Sequence, residues 1–363
     1  MSKLIHGGDI YTTFEKGLSV VDFSSNINPL GVPKSIKDSI VASIDMCSNY
    51  PDPLCREIGK ALSEKISVNK EHIIFGNGAA DLIFRLIQAE KPKRALLLAP
   101  TFSEYEKALV SVDCVVKHYY LAEEKSFILD NAFLNHIDSG MDMIILCNPN
   151  NPTGQLIDKE LLKTIVEKCQ SKNIRLLLDE CFIDFVSEMK QHTMIEYLEK
   201  LPAMFILRSF TKSYAMPGIR LGYGLCSDTA LLNKILEHEQ PWSVSLLAQK
   251  AGLASIKEDD YLEDARTIII SERKRLENEF NKLGFKVFSP AANYLFFKLR
   301  ENMPMEYIDS FKSDMENEGF LIRCCANYEG LQEGFFRIAI LGYEENNKLI
   351  NAIKRRESEW QKQ

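Results

Sequence analysis

The chain of 363 residues lacks the marks of several functional classes. Its nine cysteines contain no C-x-x-C pair and follow no secretory apolar stretch, which argues against a disulfide framework. Reduced thiols and a cytoplasmic location are therefore expected. The six histidines show neither H-x-H nor H-E-x-x-H spacing, so no metal site is expected. The longest apolar stretches, such as Met143 to Cys147, are far too short to span a bilayer, and no membrane partner is expected. With a formal net charge of −7 and no Lys/Arg block, the chain carries no footprint for nucleic acid. Internal repeats and low-complexity segments are absent too. What remains, 45% hydrophobic and 26% charged residues, is the composition of an ordinary globular enzyme. Its length exceeds what one core usually supports, so a large domain with a smaller companion is expected.

Short apolar runs at Ala95–Ala99, Met143–Cys147, Ile174–Leu178, Met204–Leu207 and Leu221–Cys226 read as strands buried on both faces. Helical spacing over Asp158–Lys172 and Tyr105–Val112 lies between them. The alternation predicts an α/β fold, a mostly parallel sheet with helices on both faces. Beyond about Leu225 the pattern changes. Leu262, Ala265, Ile268, Ile269, Leu276, Phe280 and Leu283 mark a long helical stripe. Strand-like segments at Tyr294–Leu299 and Phe335–Leu341 follow, then a charged helix, which together predict an α+β lobe. The expected division is an N-terminal arm over 1–40 that packs on the small domain, a large domain over 41–235 and a small domain over 236–363.

Four motifs stand at predicted strand ends, where open α/β sheets place ligands. Gly76-Asn77-Gly78-Ala79-Ala80-Asp81 enters a helix with small residues, leaving backbone N–H groups open to an anion. Alone, it reads as a turn and cap. Cys147-Asn148-Pro149-Asn150-Asn151-Pro152-Thr153-Gly154 holds amide side chains on a backbone stiffened by two prolines. Asp179-Glu180 ends a strand in two carboxylates, suited to a base, a metal ligand or the partner of a protonated ring nitrogen. Ser209-Phe210-Thr211-Lys212-Ser213-Tyr214, with Arg220 shortly after, offers a lysine flanked by hydroxyls with a cation close by in sequence, as suits a Schiff-base nucleophile beside phosphate ligands. Together they match the needs of pyridoxal 5′-phosphate: an amine, an acid, a phosphate cup and a flat face.

The pattern resembles the fold-type I pyridoxal-phosphate enzymes, within the class I/II aminotransferase superfamily, over nearly the whole chain. The resemblance implies that Lys212 carries the cofactor as a Schiff base and that Asp179 pairs with the ring nitrogen. It further implies that Asn151 bonds the phenolic oxygen, and that the N–H groups of Ala79 and Ala80 with Ser209 and Arg220 cup the phosphate. Phe102, in Pro100-Thr101-Phe102-Ser103-Glu104-Tyr105, stands where the family stacks an aromatic ring, with Tyr105 the weaker candidate. Tyr50 resembles a tyrosine that reaches the neighbouring subunit's phosphate, which implies a homodimer with shared active sites.

Two branches compete, one transaminating histidinol phosphate and one decarboxylating L-threonine O-3-phosphate. His6-Gly7-Gly8-Asp9-Ile10, Phe23 to Gly31, and Ile322 to Leu331 with Phe336-Arg337-Ile338-Ala339 resemble the decarboxylating branch. So does Asp179-Glu180-Cys181-Phe182, where the aminotransferases usually read Asp-Glu-Ala-Tyr. This branch implies formation of (R)-1-amino-2-propanol O-2-phosphate for cobalamin biosynthesis. His6, Asn28, Arg323 and Arg337 are expected to hold the phosphate and carboxylate of a small phosphorylated amino acid, because guanidinium binds such anions bidentately. A catalytically idle cofactor-binding paralogue is the remaining alternative.

Overall fold

The buried runs of the middle region form the centre of a seven-stranded sheet in the computed structural model, which describes residues 6–301 and 303–360. Across the sheet the strands run Ile73–Gly76, Gly222–Leu225, Met204–Ser209, Arg175–Asp179, Met143–Cys147, Arg94–Ala99 and Val115–Tyr120. Successive residues point to opposite faces, as the two-residue period of a strand requires. Ile144, Leu146, Leu176, Leu178, Met204 and Ile206 join one core. Their neighbours Ile145, Leu177, Phe205 and Leu207 join the other. The helix Lys159–Ser171 covers the first face with Leu161, Leu162, Ile165 and Val166, and Asp158 caps it by accepting the Leu161 N–H at 2.9 Å. Helix Ala79–Glu90 covers the second with Leu82, Ile83, Leu86 and Ile87.

Two strands of this sheet went unread in the sequence, Ile73–Gly76 and Val115–Tyr120. The second is a sheet edge whose residues alternate between exposed and half-buried, so it shows no apolar run. The sheet is mostly parallel, as expected, and the strand over Gly222–Leu225 pairs antiparallel with both of its neighbours.

The small lobe is an antiparallel four-stranded sheet in the order Arg323–Cys324, Phe335–Ala339, Tyr294–Lys298, Lys286–Phe288. Helices Tyr261–Lys282, Met305–Asn317 and Tyr343–Trp360 contribute to its core, in which Phe280, Phe285, Phe297, Phe311 and Phe336 meet. The arm joins this lobe: Val21–Asp22 pairs parallel with Phe320–Leu321, and Phe23 is fully buried in the same core.

The lobe boundaries read from sequence need correction at both ends. Helix Leu246–Ile256, expected in the small domain, packs on helices Lys34–Ala42 and Arg56–Ile66, and its Ala248, Ala251 and Ile256 belong to the large-lobe core. Lys34–Ala42, expected in the arm, is thereby part of the large lobe. Both segments follow apolar contacts that local sequence does not display.

Glu279 of the long helix takes Lys282 at 2.7 Å and Lys354 of the C-terminal helix at 2.6 Å. Hydrogen bonds from these two ammonium groups hold its carboxyl down to about 2, from an ordinary value of 4.5. A depressed carboxyl stabilises the fold above pH 4.5 and loses that contribution as pH falls through 2. Glu279→Gln is expected to lower stability at pH 7 by less than about 1 kcal/mol, since the pair lies near the surface. Chemical denaturation should show the difference vanishing near pH 2.

Candidate active site

The four strand-end motifs converge on one edge of the large sheet. Cys147, Asp179 and Leu207 lie in register on three adjacent strands, and Gly76, Gly222 and Ser209 lie in register beside them. All four motifs therefore leave the sheet on the same side, because parallel strands end together.

Asp179 is buried and held from two directions. Its Oδ1 accepts the Cys181 N–H at 2.8 Å, and its Oδ2 accepts the Tyr105 hydroxyl at 2.6 Å. Burial, then the adjacent Asp179 charge, pushes the Tyr105 phenol well above its ordinary range, so it remains a donor. Tyr105 is thus the carboxylate's anchor, and Phe102, edge-on to it at 5.5 Å, keeps a partly open face. Burial and the same charge raise the Cys147 and Cys181 thiols, leaving Asp179 flanked by neutral groups.

Lys212 lies in the four-residue helix Phe210–Ser213, which Ser209 caps. Its Nζ stands 5.0 Å over the Phe182 ring, and no described residue accepts a hydrogen bond from it. A lysine held by a ring face rather than a carboxylate leaves its amine open to chemistry.

Beside it is a cradle stripped of side chains. Gly78, at φ +82°, precedes the helix that opens with Ala79 and Ala80. A Cβ there would stand 2.4 Å from Arg220 Nη2, and one on Gly222 would stand 2.5 Å from the Ala79 nitrogen. Only glycine leaves this space between a guanidinium and a helix N-terminus. Ser209 borders the same sheet edge, in register with Gly222.

Asn151 and Arg337 are joined: Arg337 Nη1 donates to Asn151 Oδ1, and Nη2 to the Ser24 carbonyl at 2.7 Å. Arg323 and Arg337 are partners across two antiparallel strands, and both are buried. Arg323 donates to Asn327 at 2.8 Å and lines a cavity of about 460 Å³ between arm and small lobe. His6 lines the same cavity and pairs with Glu104 of the large lobe at 2.8 Å.

Asn28 and Tyr50 complete the expected residues. Asn28 Nδ2 donates to the Ser213 carbonyl at 2.8 Å and its Oδ1 accepts the Leu30 N–H at 3.0 Å. These bonds tie the arm to the lysine's turn and leave a second amide N–H for a ligand. Tyr50 is 76% exposed, stacked on Trp242 with ring centroids 4.3 Å apart, and joins no other expected site residue.

Sequence reasoning missed Tyr105 as the Asp179 donor, and with it the buried Arg208 and half-buried Asp184 behind the lysine. The only signal in the chain was the spacing of Tyr105 three residues after Phe102.

Known proteins resemble the chain over nearly its whole length. Threonine-phosphate decarboxylase of Salmonella typhimurium is 35% identical over 355 residues, covering 96% of this chain and 95% of that protein. The solved histidinol-phosphate aminotransferase of Clostridium acetobutylicum superposes with a TM-score of 0.86 at 32% identity, covering 93% of this chain and 99% of that one. The solved L-threonine-O-3-phosphate decarboxylase of Porphyromonas gingivalis shares the fold, with a TM-score of 0.80 at 23% identity over 92% of this chain and 98% of its own. Residues 19–353 match aminotransferase class I and II, and the chain belongs to that family.

Proposed function

We propose that this protein decarboxylates L-threonine O-3-phosphate to (R)-1-amino-2-propanol O-2-phosphate, a step of cobalamin biosynthesis. Enzymes of its family work with pyridoxal 5′-phosphate, and the residues present fit that group. Gly78 lets the Arg220 guanidinium approach the N-terminus of the helix opened by Ala79, which has no side-chain cap, and this is the donor set a phosphate needs. Ala79, Ala80, Ser209 and Arg220 would hold the phosphate, Asp179 the ring nitrogen, Asn151 the phenolic oxygen, and Phe102 one ring face. Lys212 would carry it. When bound, the cofactor supplies a sink for the electron pair left by a bond broken at the substrate's α-carbon.

The observation that carries the substrate reading is Arg337. Its guanidinium is buried, its two hydrogen-bond acceptors are neutral oxygens, its other contact is the Tyr294 ring at 5.5 Å, and its Nε has no hydrogen-bond partner. A buried charge with no counter-ion is costly, so such a site is built for an anion that arrives from solution. Arg323, its cross-strand partner, and His6 on the arm supply a second anionic subsite. One substrate with a carboxylate and a phosphate satisfies both, and its docking selects which α-carbon bond breaks. The carboxylate leaves as CO₂ and the α-carbon gains a proton.

The test is mass spectrometry of cofactor-loaded protein mixed with O-phospho-L-threonine and no keto acid. An amine lighter by CO₂ is expected. The likeness to the Clostridium aminotransferase favours one rival, transamination of histidinol phosphate. An unchanged phosphothreonine, with glutamate formed from 2-oxoglutarate and histidinol phosphate, would establish that rival instead.

The dimer belongs to the same proposal. Tyr50, Leu54, Ile44 and Met46 are exposed apolar side chains in one segment, which a second copy would cover, bringing Tyr50 to its partner's cofactor phosphate. All nine cysteines are free thiols, which fits the cytoplasm. No described helix is long and apolar enough to cross a membrane.

A further inference from the structure

Lys212 sits in a helix of only four residues, far below the length at which a helix holds itself together. Its position relative to Asp179 must come from tertiary contacts. A buried polar chain supplies them. Glu180, the residue after Asp179, is fully buried and accepts Arg208 through Nε at 2.9 Å and Nη2 at 2.7 Å. Arg208 Nη1 reaches Asp184 Oδ1 at 3.1 Å, and Asp184 Oδ2 accepts the hydroxyl of Ser213 at 2.6 Å. Ser213 is the residue after Lys212. The chain thus begins one residue beyond the acid and ends one residue beyond the amine.

Further bonds stiffen it. Thr193 donates to Glu180 and accepts from Arg208, both at 2.8 Å. Asn28 donates its backbone N–H to the Lys212 carbonyl at 3.2 Å and its amide to the Ser213 carbonyl at 2.8 Å. Arg266 of the small lobe donates to the Asp184 carbonyl at 2.8 Å. Buried ion pairs add little net stability against an apolar alternative, so stability alone does not account for this one. Fully satisfied polar networks do specify a single geometry.

We propose that Arg208, Asp184 and Ser213 are positioning residues that fix the Lys212 amine against the Asp179 carboxylate. The inference rests on the reading that Lys212 carries the cofactor.

Ser213→Ala removes the terminal hydroxyl, and Asp184→Ala removes its acceptor. With cofactor-loaded protein, each is expected to lower kcat about tenfold while leaving KM within about twofold, because misplacement by a fraction of an ångström penalises only the reacting geometry. The visible circular dichroism band of the bound cofactor, read before any amino acid is added, should weaken in both. The double variant should be no worse than the poorer single, as for two residues of one unit. If both variants lose only melting temperature, with kcat and the dichroic band unchanged, the network is structural and the proposal is overturned. Absence of the band in the unaltered protein would overturn the lysine reading and this inference with it.

Discussion

Replacing Lys212 with alanine is expected to abolish turnover, by at least about 10³-fold, and to remove the visible absorption of the bound cofactor. The fold should survive the change. Lys212 Nζ contacts the Phe182 ring and no described carboxylate, so truncation leaves no orphaned charge behind. The Asn28 bond reaches the Lys212 backbone carbonyl, which alanine keeps. The measurement is steady-state release of CO₂ beside an absorption spectrum taken after desalting. A melting temperature within a few degrees of the parent separates chemistry from unfolding. Turnover that persisted at a tenth of the parent rate would show that another group carries the cofactor.

Arg337→Ala is expected to lower kcat/KM for O-phospho-L-threonine by roughly 10²- to 10³-fold, the cost of removing one partner of a buried charged contact. Part of that loss comes from the Ser24 carbonyl, which is left without its donor, and from Asn151 Oδ1, which keeps only the long 3.4 Å bond from the Tyr328 hydroxyl. Arg337→Lys keeps the charge but not the fork, and should recover only a part. Comparison with unphosphorylated L-threonine assigns the anion. A larger loss on the phosphorylated amino acid places Arg337 at the phosphate. Equal fractional losses place it at the carboxylate, which both compounds share, and leave the phosphate to Arg323 and His6.

The pieces of the site that were legible in the sequence are those whose chemistry is local. Asp179 ends an apolar run, Lys212 stands between hydroxyls, and the two alanines open a helix after Gly78. Each can be read from its neighbours in the chain. The central strands were legible for the same reason, since a strand covered on both faces must be apolar throughout, as Met143–Cys147 is. The edge strand Val115–Tyr120 has one side open and no such run.

What the sequence missed involves partners distant along the chain. The amide of Asn28, expected only to meet substrate, also donates to a carbonyl 185 positions away. Tyr105 looked like a second stacking ring, and its hydroxyl instead meets Asp179 across 74 positions. Helix Leu246–Ile256 reads as the start of the small lobe, and apolar contact with the helices at 34–42 and 56–66 assigns it to the large one.

By itself, then, the amino-acid sequence determined the α/β class and the strand-end placement of the four motifs, and it supplied the amine and the acid proposed for the site. These follow from hydrophobic period and from chemistry carried by adjacent residues. Only the tertiary structure decided which polar atoms remain available to a ligand. A side chain's hydrogen bonds are settled by whatever the fold brings beside it, and buried groups take the nearest partner regardless of sequence distance. For that reason Asn28 is tied to the turn that holds Lys212, while Arg337 keeps an Nε with no hydrogen-bond partner.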